Sequence, residues 1–121
     1  MLRFIRFALL IITASLFTST AAWAHAHLKA AEPAANSVAS SPASLSLTFS
    51  EALDVKFSGI KLINASKQDI ALGEATLTNA GKTLVVKPAQ PLPAGSYQVE
   101  WHALSVDGHK TNGTYSFSVG K

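Results

Sequence analysis

The sequence predicts an all-β fold, a two-sheet sandwich of about seven strands with Greek-key connections, and three observations predict it. Apolar and polar residues alternate with period two in several short stretches. Turn-forming residues separate those stretches at the spacing usual for sandwiches. After the first two dozen residues, no stretch sustains apolar residues at helical spacing.

Each element can be read in order. Leu45, Leu47 and Phe49 alternate with Ser46, Thr48 and Ser50. Successive strand side chains point to opposite faces, so this is a half-buried strand. Residues 57–63 (FSGIKLI) read as another strand, and 70–72, 75–77 and 83–87 as shorter ones. Tyr97, Val99 and Trp101 alternate with Gln98, Glu100 and His102. Parity therefore sends Trp101 to the core and His102 to the opposite face. Tyr115, Phe117 and Val119 alternate with Ser116 and Ser118 to give the last strand. Turn signals fall at 33–36 (PAAN), 79–81 (NAG), 91–95 (PLPAG), 107–108 (DG) and 112–113 (NG). The stretch 37–44 (SVASSPAS) reads as a loop.

The start of the chain reads as a targeting segment. Arg3 and Arg6 precede an apolar run, 7–17 (FALLIITASLF), which is shorter than the roughly 20 residues of a spanning helix. Ala22-Trp23-Ala24 then supplies a small-x-small cleavage site. The expected organisation is a signal peptide over 1–24 and one β-sandwich domain over 25–121, exported and with no membrane span in the mature chain. Ala24-His25-Ala26 satisfies the same rule and would allow a second cut after Ala26. The full chain carries a formal charge of +3, but once Arg3 and Arg6 leave, eight lysines face seven carboxylates. No basic patch remains, which argues against nucleic-acid binding. The chain has no cysteine, so disulfides and thiolate metal sites are excluded.

Cleavage after Ala24 would make His25 the first residue. Its α-amine and imidazole could then chelate one ion together. Asp107-Gly108-His109 lies far downstream, and in an extended stretch residues two apart point to the same side. Amine, imidazole and carboxylate donors suit Cu(II), which prefers tetragonal nitrogen and oxygen ligands. Zinc would accept the same donors, but usually takes three or four protein side chains in a tetrahedral array. A second mode competes. His27 would stand third, and a free amine, two deprotonated amides and a third-position imidazole form a square-planar chelate. The long-range set of His25, Asp107 and His109 is preferred, because folding would preorganise it. Glu51, directly after the strand ending in Phe49-Ser50, reads by itself as a solvated glutamate, and His102 as a surface histidine.

At these residues the chain resembles the CopC copper-resistance family, and more closely its bacterial YobA-like branch. The resemblance spans the whole mature chain. It rests on His25-Ala26-His27-Leu28, Pro33-Ala34, Phe49-Ser50-Glu51, Phe57-Ser58-Gly59, Pro93-Ala94-Gly95-Ser96-Tyr97, and Trp101 with Ser105-Val106-Asp107-Gly108-His109-Lys110. It implies an immunoglobulin-like β-sandwich in the periplasm, a cut after Ala24, and a Cu(II) site built from His25, Asp107 and His109. It implies a weaker or outer role for Glu51, none for His102, and an inner-membrane CopD-type copper transporter as partner. Members that also bind Cu(I) carry a methionine-rich stretch, whereas the only methionine here is Met1. Cu(II) alone is therefore expected, bound by a carrier or buffer of copper homeostasis and resistance rather than by an enzyme. Two other classes fit a β-sandwich: a metal-free adhesion or assembly module, and a histidine-brace copper oxidase.

Overall fold

In the computed structural model, which describes residues 26–120, the alternating stretches become strands of two facing sheets. One sheet runs in the order β1 (Leu28–Glu32), β3 (Leu45–Phe49), β7 (Thr83–Val86) and β6 (Thr76–Thr78). The other runs β2 (Val38–Ser40), β9 (Lys110–Gly120), β8 (Gly95–Leu104), β4 (Gly59–Asn64) and β5 (Asp69–Ile70). The chain changes sheet between β1 and β2, β2 and β3, β3 and β4, β5 and β6, and β7 and β8, the crossing between sheets expected of Greek-key connections. All pairings are antiparallel except that of β2 with β9. Among the described residues no helix is long and apolar enough to cross a membrane. The signal segment and His25 lie outside the described residues.

The core sits between the sheets, where the sequence parity places it. Leu45, Leu47, Phe49, Leu84 and Val86 face inward from one sheet, and Leu62, Tyr97, Val99, Trp101, Ala103, Phe117 and Val119 from the other. Each fully buried aliphatic or phenyl side chain contributes about 1.5–3 kcal/mol. Trp101 meets Phe49 edge-on, with ring centroids 5.1 Å apart at 70°. The Tyr97 hydroxyl donates to the Pro93 carbonyl at 2.6 Å, the corner that ties loop to strand in immunoglobulin-like sandwiches.

Four local expectations are corrected. The described residues hold nine strands rather than about seven. The additional pair, β1 and β2, are edge strands, and β2 occupies part of the stretch read as a loop. Residues 55–57 form a 3-10 turn, so the strand expected over 57–63 begins only at Gly59. The cause is local: the Asp54 carboxylate accepts the Lys56 amide at 3.0 Å, and the Ser58 hydroxyl donates to the Asp54 carbonyl at 2.8 Å. Asn112-Gly113 is not a turn but lies within β9. Gly113 pairs with Trp101, and a Cβ there would sit 2.7 Å from the indole. That glycine makes room for the tryptophan.

Candidate metal centre

The turn joining β8 to β9 is organised by Ser105. This residue is buried and bridges Leu53. Its amide donates to the His109 carbonyl at 2.9 Å, and its carbonyl accepts from the Gly108 amide at 2.8 Å. Gly108 has φ +96°, a conformation that glycine adopts without a Cβ penalty. Asp107 and His109 therefore meet through a reverse turn and not through an extended stretch.

Within the turn, one carboxylate oxygen collects the polar contacts. Asp107 Oδ1 accepts from the Ser105 hydroxyl and lies 3.0 Å from His109 Nδ1. The Ser105 hydroxyl first, and His109 second, hold the Asp107 carboxyl below its ordinary pKa. A histidine that donates Nδ1–H to a carboxylate presents Nε2 as its other ring nitrogen, an arrangement common for metal-binding histidines. Both side chains stay open to solvent, Asp107 at 40% and His109 at 48% exposure.

The N-terminal end of the described chain is laced to the same end of the sandwich. Ala26 is fully buried, and its carbonyl accepts from the Thr111 hydroxyl at 3.0 Å. Thr111 is two residues beyond His109. The His27 amide donates to Ser50 Oγ at 2.9 Å, and the Ser50 amide donates back to the His27 carbonyl at 2.9 Å. The following residues bind the turn: Val106 donates to the Ala52 carbonyl at 3.0 Å, and Asp54 donates to the Leu104 carbonyl at 2.8 Å. Segments 26–27, 50–54 and 105–111 thus form one hydrogen-bonded rim.

Of the residues singled out from sequence, the structure directly joins Asp107 and His109. Glu51 is half-buried, with its backbone held on the rim between Ser50 and Ala52. His27 has its backbone on the rim and its side chain exposed. Among the described residues no three His, Asp or Glu side chains gather closely enough to hold a metal ion. The paired side chains of Asp107 and His109 supply one carboxylate and one imidazole at this turn. His102 lies on the outer face of its sheet, as parity predicted. Its ring rests against Gly59, where a Cβ would stand 2.9 Å from it. With Lys61, Glu100, Asn112 and Thr114 it lines a shallow groove of about 430 Å³. Sequence reasoning missed Ser105, Ser50 and Thr111. The only signal was that Ser50 and Ser105 sit inside the Phe49-Ser50-Glu51 and Ser105–His109 blocks.

Comparison with known proteins settles the family. The CopC domain pattern matches residues 28–120. The chain belongs to the CopC family. Protein YobA of Escherichia coli strain K12 is 44% identical over 119 residues, covering 97% of this chain and 95% of its own length. Copper resistance protein C of Escherichia coli is 40% identical over 105 residues, covering 81% of this chain and 83% of its own. The crystal structure of PcoC, a methionine-rich copper resistance protein from Escherichia coli, matches with a TM-score of 0.73 at 40% identity, covering 80% of this chain and 100% of that one. Unlike that methionine-rich relative, this CopC-family chain has a single methionine, at position 1.

Proposed function

We propose that this chain, cut after Ala24, is a periplasmic Cu(II) carrier or buffer whose metal is held by His25, Asp107 and His109. The observation that carries this reading is the rim. Ala26 is clamped between Thr111 and Ser50 within a few residues of the Asp107–His109 pair. One peptide bond keeps the α-carbon of any preceding residue about 3.8 Å from that of Ala26. A terminal histidine would therefore bring its amine and imidazole to the rim. Asp107 and His109 supply a carboxylate and a neutral imidazole there, and the combined nitrogen and oxygen set suits Cu(II). Glu51 lies on the rim segment beside Ser50, and the family resemblance suggests a weak or outer role for it. Without thioethers the chain has no preferred donors for Cu(I).

The work proposed is capture and delivery without turnover, in copper homeostasis or resistance. The names of its relatives and the family resemblance support this role, and the resemblance also suggests a CopD-type membrane transporter as recipient. Ligands must be deprotonated to bind, so loading releases protons and weakens in acid. Reference values near ~6.5 for imidazole and ~7.7–8.0 for an α-amine place the onset of copper loss somewhat below neutrality. The test is a spectroscopic Cu(II) titration of the chain beginning at His25 beside one with a single additional N-terminal residue. The extended chain should bind far more weakly and with an altered spin-resonance signature. Equal affinity with the same signature would refute the terminal chelate.

A further inference from the structure

The peptide that joins Ala26 to His27 is held from both sides. Its carbonyl oxygen accepts from Thr111 Oγ1 at 3.0 Å, and its N–H donates to Ser50 Oγ at 2.9 Å. The Ser50 amide closes the clamp on the His27 carbonyl at 2.9 Å, and the Ala26 side chain beneath is fully buried. This amide nitrogen is one of the two that the competing terminal chelate needs. In that mode the nitrogens come from the amine, the amides of Ala26 and His27, and the His27 imidazole. Its formation breaks the N–H bonds of Ala26 and His27, makes a Cu–N bond at each nitrogen and passes both protons to buffer. In the fold the His27 amide proton already points into Ser50 Oγ. The nitrogen can reach a metal only by giving up its bond to Ser50, on a peptide whose other end is held by Thr111 and the buried Ala26.

We infer that Ser50, with Thr111, is a positioning residue that selects the coordination mode: by fixing the Ala26–His27 peptide it bars the square-planar terminal chelate and reserves copper for the long-range set. Two observations support the assignment independently. The contacts span 23 and 85 residues of sequence, so tertiary structure and not local turn chemistry makes them. Both also end on a single peptide plane, so losing either frees one end of it. Ser50 and Thr111 act through the backbone and need not touch the metal. This inference rests on the proposed carrier reading and deepens it.

The experiment compares Cu(II) visible and spin-resonance spectra of the chain beginning at His25 with those of Ser50→Ala, Ser50→Thr and Thr111→Val. Each is recorded with and without His27→Ala, and His109→Ala is recorded in the wild-type background. The wild-type spectrum should be indifferent to His27→Ala and lost with His109→Ala. Ser50→Ala should add a component whose d–d absorption is shifted to higher energy, as a square plane of four nitrogens demands. That component should vanish in the Ser50→Ala, His27→Ala double variant and be absent from Ser50→Thr, which keeps a hydroxyl. A loss of packing alone would not make the spectrum depend on His27. Thr111→Val should show the same shift, and it carries the test if Ser50→Ala does not fold. Unchanged, His27-independent spectra in Ser50→Ala and Thr111→Val would overturn the lock and leave the carrier reading intact. A wild-type spectrum that already depends on His27 and ignores His109 would sink both.

Discussion

Two turns cap opposite ends of β8, and each is tied by a hydroxyl to a carbonyl four residues away. At the start of the strand Tyr97 reaches Pro93 at 2.6 Å, and beyond its end Ser105 reaches His109 at 3.3 Å. The first tie is short and closes over the core, with the Tyr97 ring stacked on Phe117 at a centroid distance of 5.7 Å. The second is long and shares its hydroxyl with Asp107, which faces solvent beside His109. The same local device therefore seals one end of the sandwich and holds polar groups open at the other. Under the proposed function, stability and metal binding sit at different ends, so substitutions should separate them.

The largest effect belongs to the interior that both ends share. Trp101→Ala removes the indole packed on Phe49 and Gly113, and should cost about 3–5 kcal/mol in denaturant unfolding. The protein that remains folded should keep the wild-type Cu(II) signature. A cost below about 1 kcal/mol would show that the core does not depend on this ring.

Next comes the open end. His109→Ala should lower Cu(II) affinity by more than the ~10–100-fold usual for loss of an outer-shell partner. Its side chain is half exposed, so stability should move by no more than about 0.5 kcal/mol. Competition titration and urea unfolding on the same sample check both. A large stability loss with intact affinity would reverse the roles assigned to the two ends.

The contrast also explains what the sequence made legible. Alternation at Leu45–Phe49, Tyr97–Trp101 and Tyr115–Val119 was readable because those strands have one face in the core. β1 and β2 were not. Residues 28–32 (LKAAE) do not alternate, and Val38 is 73% exposed, so backbone pairing at an edge holds them without a hydrophobic signature. Asn112-Gly113 misled because the same dipeptide serves a turn and a close ring contact. At the candidate site, the donor types of Asp107 and His109 were legible, but their geometry was not: the spacing suggested an extended stretch, and the chain instead turns at Gly108. Ser50 and Thr111 were not legible, because their contacts reach 23 and 85 residues along the chain. Nothing local marks a serine or threonine as a clamp.

A smaller effect tests the sealed end alone. Tyr97→Phe removes the hydroxyl that donates to Pro93 and keeps the ring on Phe117. It should cost about 0.5–1.5 kcal/mol, the net worth of one hydrogen bond, and leave the copper spectrum untouched. A spectral change would mean that the two ends communicate along β8.

The smallest effect lies in the protonation of Asp107, and it tests whether Ser105 tunes the open end or merely closes the turn. The Ser105 hydroxyl is the first cause of the lowered Asp107 pKa, with His109 second. The folded value lies below that of the unfolded chain, near ~3.9. The stabilisation is therefore present above that pH and disappears as pH falls through the folded value. Because the carboxylate is solvent-exposed, the stability change should be slight, and the titration itself is the better measurement. In metal-free protein, carboxyl-carbon NMR should place the Asp107 midpoint below the usual aspartate value. Ser105→Ala should move it upward toward ~3.9, while Tyr97→Phe should leave it in place. If Ser105→Ala does not move it, the hydroxyl closes the turn without tuning the carboxylate. The two hydroxyls at the ends of β8 would then differ only in what they cover.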